Sequence, residues 1–540
     1  MSNDPRGDRG EATVSRTTVL GLMPRAGRPA GFRLRDGAAL LALGLSACAV
    51  GPNFVPPPAP EVGGYVRGPL TSPKVTIRSG DNQYFRSGQE IAANWWAAFK
   101  SRGLNELVQH AVDRNPTLQA ADAAIKVAHY NALAQRGLFF PQLTGNSNGS
   151  QQRLSNAGVV FDSPASVPQE QYSLVTHQLT VTFTPDIWGG NLRAVQSLDA
   201  VTEQQQYQLE AAYLTLTSNV VIAAIQEASL RGQLMATRRI IVIERRLLDI
   251  LKRQNALGQV AKADVLAQEA ALAQVELLLP PLEKQLAQQR DLLTALAGEL
   301  PANEVPQVFE MSQLKLPTNL PISLPGKLVD RRPDVRAAEA NMHFASAQIG
   351  VAVAARLPNI QISANGGSSA YNLAQSFTPG TNFYTIAASA TAPIFDGMTL
   401  YHKQKAAEAA FEQATAQYRS TVIGAFQNVA DALRALQADA KTIDAAIHAE
   451  RTAKASLDIV EQQLNAGQVN QLAVLNAQQT YLTASIIRVQ SEANRLADTA
   501  ALFMALGGGW PATCVGPIWR ECAGRDDTAA AAAPTGTPER

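Results

Sequence analysis

The chain repeats itself, and a repeat confines the fold to two copies of one plan. Asn115-Pro116-Thr117-Leu118-Gln119-Ala120 has a counterpart in Arg332-Pro333-Asp334-Val335-Arg336-Ala337, and Phe140-Pro141-Gln142-Leu143 has one in Leu357-Pro358-Asn359-Ile360; the prolines of each pair are 217 residues apart. Pro185-Asp186-Ile187-Trp188-Gly189 matches Pro393-Ile394-Phe395-Asp396-Gly397 at an offset of 208, and Gly258-Gln259-Val260 matches Gly467-Gln468-Val469 at 209. The offset falls by nine between Pro141 and Pro185, so the first copy carries the longer loop there. A unit of about 210 residues therefore occurs twice.

Each unit reads in the same order. Asn115 is suited to cap a helix whose first turn holds Pro116, because a proline at that position forfeits no hydrogen bond. Two extended stretches follow, predicted at 141–151 and 172–184, then at 358–369 and 382–394 in the second copy. Leu179-Thr180-Val181-Thr182-Phe183 and Ile360-Gln361-Ile362-Ser363 alternate apolar with polar, the period of a strand with two unlike faces. Gly, Asn and Ser gather between the stretches, as in hairpin loops. Prolines then vanish from Asp186 to Leu279 and from Ile394 to Trp510. A helix from Gly397 to about Ala466 would span about 100 Å at 1.5 Å per residue. Helices of that length have to pack side by side as coiled coils, and small Ala contacts permit close approach.

Composition excludes several classes. Of 540 residues, 17% are charged, and 46 Lys+Arg balance 45 Asp+Glu, so no bulk positive charge points to nucleic acid. Three cysteines are too few for a disulfide scaffold, and six dispersed histidines form no local metal motif. No Ser/His/Asp signature, phosphate-cradling glycine loop or Cys/His ligand set occurs. The chain is thus read as a non-enzyme with no cofactor and no metal.

The N-terminus reads as an export leader. Arg25, Arg28, Arg33 and Arg35 precede an apolar run from Ala38 to Val50, which is shorter than the roughly 18 residues of a spanning helix. The run ends in Leu45-Ser46-Ala47-Cys48, which resembles a lipobox and implies an acylated Cys48 as the first mature residue. Met23 would give a leader of ordinary length. The expected segments are 1–47 leader, 48–94 lipid-anchored segment, 95–305 first repeat, 306–510 second repeat and 511–540 low-complexity tail. In that tail Cys514 and Cys522 either pair or remain free thiols.

Four strands of about ten residues suit a tilted outer-membrane span. Four cannot close a cylinder, and an open edge in lipid strands backbone groups at several kcal/mol each. Closure must then come from further copies. The rival reading is a structural periplasmic coiled-coil rod or adhesin-like stalk without a pore.

Taken together the motifs resemble the TolC/OprM-type outer-membrane efflux lipoproteins, a NodT-like class of outer membrane factors. The resemblance rests on Ala49-Val50-Gly51-Pro52-Asn53-Phe54, Trp95-Trp96 with Phe99, and Asp186-Ile187-Trp188-Gly189. To these it adds Arg331-Arg332-Pro333-Asp334, Pro393-Ile394-Phe395-Asp396-Gly397 and Ala505-Leu506-Gly507-Gly508-Gly509-Trp510. It implies a mixed α/β membrane protein: a homotrimer with a 12-stranded β-barrel in the outer membrane, continued by a periplasmic α-helical barrel. The implied function is a passive exit duct, fed by a periplasmic adaptor (membrane fusion) protein and an inner-membrane RND-type pump, with outer-membrane lipid around the barrel. Leu257-Gly258-Gln259 and Ala466-Gly467-Gln468, expected as the turns of two helical hairpins, would by resemblance meet the adaptor. The resemblance also assigns a periplasmic gate to Leu472, Asn476 and Gln479, where this chain has amides in place of the family's usual Asp and Arg. Asp264, near the first turn, could restore some negative charge.

Overall fold

In the computed structural model of the chain, residues 49–68, 70–75, 82–89, 91–153 and 171–509 are described. In chain order, strand β1 (Tyr84–Ser87) and a short 3-10 turn at Trp95–Phe99 precede helices α1 (Arg102–Arg114) and α2 (Pro116–Arg136). Strands β2 (Gln142–Arg153) and β3 (Gln171–Phe183) follow, then the long helix α3 (Gly190–Ala256) and its return, α4 (Lys262–Glu276) and α5 (Leu279–Leu296). The second copy comprises β4 (Asn319–Ile322), α6 (Pro325–Arg331), α7 (Pro333–Ala354), β5 (Asn359–Ala370), β6 (Asn382–Thr391), α8 (Thr399–Asn465) and α9 (Gln471–Ala505). The two copies are the helix, strand, strand, helical-hairpin units the landmarks predict.

The local chemistry at the landmarks explains the boundaries. Asn115 Oδ1 accepts the Thr117 N–H at 2.9 Å, and its amide donates to Leu296 O at 3.0 Å, so one residue caps α2 and ties it to α5. Arg332, at the equivalent place, makes no side-chain cap. It pairs with Asp334 at 2.6 Å and donates to Ala505 O at 2.9 Å, fastening the start of α7 to the end of α9. Helix α8 begins two residues later than the predicted Gly397. Gly397 (φ 63°) and Met398 (φ 68°) are both left-handed, so the helical backbone cannot start before Thr399.

The second half-turn of the plan differs between copies. Helix α9 runs unbroken for 35 residues, whereas its counterpart stops at Glu276 and restarts at Leu279 with proline in the first turn. Pro280 and Pro281 lack the N–H groups that a continuous helix would need.

The main core lies where the two copies meet. Trp95, Trp96 and Phe99 are buried there; the Trp95 ring stacks on Phe503 near the end of α9 at 5.5 Å between centroids. Around them Leu104 and Leu107 of α1, Val220 and Ile225 of α3, Leu293 of α5 and Leu433 of α8 are almost fully covered. Burying each such side chain contributes about 1.5–3 kcal/mol. Beneath this belt, Glu227 of α3 is fully buried, and one of its carboxylate oxygens takes both Arg231 at 2.7 Å and Arg290 of α5 at 2.9 Å. Strands β1 and β4 pair in parallel, Tyr84 opposite Asn319, joining the N-terminal segment to the link between repeats. This pairing was not foreseen, since strands of four residues carry too little alternation to read.

Candidate functional site: strand sheet, helical tips and the face of helix α9

The strands form one antiparallel sheet in the order β2-β3-β5-β6, so β3 pairs with β5 across the two repeats. Directly opposed residues share a face and successive residues alternate. Leu143, Val181, Ala364 and Ile386 make one cross-strand row; one residue along, Thr144, Thr180, Asn365 and Thr385 make the next. Over the half of the sheet nearest the helices the ladders carry this alternation through, giving one face rich in apolar side chains and one of amides and hydroxyls. On the apolar face Leu143, Leu179, Tyr384 and Ile386 are 59–82% exposed. A soluble sheet does not leave such a surface in water. The outer edges of β2 and β6 have no partner strand among the described residues.

Where strand turns into helix, each copy uses an aspartate. Asp186 accepts the N–H groups of Asn191 (3.0 Å) and Leu192 (2.7 Å), and Asp396 accepts that of Leu400 (2.8 Å). Both carboxylates also sit favourably at the positive end of a helix. Trp188 donates its indole N–H to Pro358 O at 2.7 Å, bridging the copies.

Arg193, in the first turn of α3, opposes that helix's dipole, and the reason lies elsewhere. It donates to Val50 O (3.1 Å), Gly51 O (3.1 Å) and Asn53 Oδ1 (2.9 Å) and is 4% exposed. Val50 N–H donates to Trp188 O at 3.0 Å, and a Cβ on Gly189 would lie 2.7 Å from Ala49 Cα. Residues 49–53 are therefore clamped to the strand–helix junction. A cation in a helix's first turn was the available sequence signal, and it was missed. Cys48 itself, Trp510 and the tail with Cys514 and Cys522 lie outside the described residues.

Both predicted hairpin turns occur, and they are built alike. At the first, Gly258 (φ 72°) donates to Asn255 O at 2.9 Å and Gln259 to Gln254 O at 2.9 Å. At the second, Gly467 (φ 73°) donates to Leu464 O at 2.9 Å and Gln468 to Gln463 O at 2.8 Å. These are paired Schellman closures, which require the left-handed residue that glycine supplies. Leu257, Gly258, Gln259, Ala466, Gly467 and Gln468 are all exposed. Asp264 is occupied locally, accepting the Ala261 N–H at 3.3 Å at the start of α4.

Helix α9 opens after Asn470, whose Oδ1 accepts the Ala473 N–H at 3.2 Å. Leu472, Asn476 and Gln479 then fall on one face of α9, and all three are exposed. The opposite face, with Val474, Ala477, Tyr481 and Leu482, is buried against both hairpins. Behind the exposed face runs a buried polar chain that sequence gave no means of finding. Gln471 Nε2 donates to Gln268 Oε1 at 2.8 Å, and Gln268 Nε2 donates to the Glu244 carboxylate. Burial pushes the Glu244 carboxyl above the ordinary carboxylate range, the Gln268 hydrogen bond opposing it. The chain links α3, α4 and α9, and so joins one hairpin to the other.

A four-stranded sheet with one exposed apolar face, joined to paired long helical hairpins, is the architecture of a membrane protein. The chain belongs to the outer membrane efflux protein family, whose profile matches residues 107–299 and 324–508. It is an outer-membrane exit duct of an efflux system, located in the outer membrane of a Gram-negative bacterium. Among its relatives, the pyoverdine export outer membrane protein OpmQ of Pseudomonas putida is 28% identical over 419 residues, covering 77% of this chain and 88% of that protein. Outer membrane protein OprJ of Pseudomonas aeruginosa is 27% identical over 488 residues, covering 88% and 95%. The solved CmeC outer membrane channel of Campylobacter jejuni superposes with a TM-score of 0.75 at 20% identity, over 86% of this chain and 96% of that one. The family is one of channels and not of enzymes, and it sets aside the poreless rod.

Proposed function

We propose that three copies of the chain close their sheets into one twelve-stranded barrel, with the apolar face in lipid and the polar face around a water-filled lumen. The observation that carries this is the four-stranded amphipathic sheet with two unpaired edges. Leaving those edges in lipid would cost several kcal/mol per backbone group, whereas pairing β2 of one copy with β6 of the next removes both. The long hairpins then continue the duct into the periplasm. The exposed tips at Leu257–Gln259 and Ala466–Gln468 are placed to meet a periplasmic adaptor, which couples the duct to an inner-membrane RND-type pump. Energy enters at the pump; this chain opens, closes and conducts by diffusion.

The gate is assigned to the exposed face of α9. Three copies of Leu472 would form an apolar ring, with Asn476 and Gln479 one and two turns behind it on the same face. Being uncharged, this ring is held by amide hydrogen bonds and leucine packing in place of ion pairs. Acylation at Cys48 would tether the mature N-terminus beside the membrane, because residues 49–53 are clamped at the strand–helix junction. The test is reconstitution of the purified protein in planar bilayers, with crosslinking in detergent to count copies. Discrete channels from a three-copy assembly are expected; a stable monomer without conductance would refute the reading.

A further inference from the structure

The face assigned to the lumen is polar without being charged. Its positions alternate along β2 from Gln142 to Gln152, along β3 from Thr182 to Tyr172, along β5 from Asn359 to Ser369 and along β6 from Thr391 to Phe383. None is Asp, Glu, Lys, Arg or His. The two basic residues of these strands, Arg153 and His177, both fall on the opposite face by the same register. Amides and hydroxyls dominate the lumen face, broken toward its far end by Tyr172, Leu174 and Phe383.

Several groups of this face also bond one another. Gln178 Nε2 donates to Thr180 Oγ1 at 2.8 Å, Thr176 and Ser369 hydroxyls lie 3.1 Å apart, and Tyr172 Oη donates to Gln152 Oε1 at 2.8 Å. A fixed charge lining a water-filled tube with low-dielectric walls focuses potential and enriches one sign of solute, and threefold repetition would multiply it. Amides and hydroxyls instead donate and accept, so they solvate either sign.

We infer that the barrel segment is blind to the sign of its cargo's charge, passing anionic, cationic and uncharged polar solutes alike, so that any charge selection is made in the periplasmic helices. This rests on the reading above that the sheet closes with its polar face inward. The test uses full-length protein in outer-membrane vesicles, with Cys514 and Cys522 replaced by serine. Thr180→Cys and Ser363→Cys report on the lumen; Leu179→Cys and Ile362→Cys report on the other face. Each is treated with a cationic (trimethylammonium) and an anionic (sulfonate) methanethiosulfonate, and rates are normalised to those for a free thiol in solution. The lumen thiols should react, with normalised rates for the two reagents within about threefold of each other. Adding Asn365→Asp to Ser363→Cys should then favour the cationic reagent beyond that margin. A larger preference without the added aspartate, or none with it, would overturn the inference. Reaction at Leu179→Cys and Ile362→Cys but not at the lumen positions would instead overturn the barrel orientation, and the inference with it.

Discussion

The two glycine tips allow docking to be separated from folding. Gly258 and Gly467 sit at φ 72° and 73°, and a Cβ built on either meets no atom within 4 Å. A leucine there therefore suffers no clash; its penalty is the left-handed backbone, about 1–2 kcal/mol per site. Against a typical stability of about 5–15 kcal/mol for a folded domain, that leaves protein level and trimer intact. The effect on a partner is different in kind. If each bulky tip weakens one adaptor contact by about 1.4 kcal/mol, the loss is tenfold per contact, and across three simultaneous contacts roughly a thousandfold. Gly258→Leu and Gly467→Leu should thus abolish efflux of a fluorescent pump substrate from cells while membrane level and crosslinked trimer remain at wild-type values. Gly189→Leu is the contrasting control: its Cβ would lie 2.7 Å from Ala49 Cα, so protein level itself should fall. Wild-type efflux in both tip variants would show that the tips are plain turns that touch no adaptor.

Asn476→Asp should raise cation selectivity and multivalent-cation block in single-channel recordings; a wild type already blocked at low concentration, or an indistinguishable mutant, would place the constriction elsewhere. Mass spectrometry of the mature protein should find acylated Cys48 at its N-terminus, and an unmodified residue before position 48 would refute lipidation. Glu227→Ala should lower the melting temperature, because it takes the buried carboxylate from Arg231 and one of the partners from Arg290, which keeps Glu304 and two backbone carbonyls; an unchanged melting temperature would contradict that. Burial, with a hydrogen bond and charge from Asp498, pushes Asp439 up from 3.8 to about 7 against the pull of Arg495; burial alone pushes Glu210 up from 4.5 to about 7 against Arg336. Between the ordinary values and 7 the folded state holds protons that the unfolded state has lost, so stability falls as pH rises through this window and levels off above it. The melting temperature should drop from pH 5 to pH 8, and Asp439→Asn with Glu210→Gln should flatten the slope.

Most of the architecture was legible because prolines and glycines mark boundaries that backbone geometry enforces. Pro116, Pro141, Pro185 and their partners gave the repeat, and Gly258 and Gly467 gave the hairpin turns to the residue. Strand β2 was readable only through its copy: Gln142–Arg153 is rich in Gly, Asn and Ser and by itself resembles a loop. The face of Leu472, Asn476 and Gln479 followed from helical spacing. The clamp of Arg193 on residues 50–53 and the chain Gln471–Gln268–Glu244 did not, because their partners are brought together by tertiary packing, which leaves no period in the sequence. The break before Leu279 is written as Pro280-Pro281, at the point where the proline-free stretch ends.

The two long helices α3 and α8 are each 67 residues. Every residue adds about 1.5 Å along the axis and about 100° of rotation around it. Losing one codon from either gene half would therefore shift that tip out of level with its twin and swing every later side chain onto a different face. A single insertion or deletion in either helix is therefore expected to cost more than a substitution that keeps size and polarity. Length, more than spelling, is what these two helices hold fixed, because a change in length restores the packed face only when it comes in near-whole turns on both strands of a hairpin.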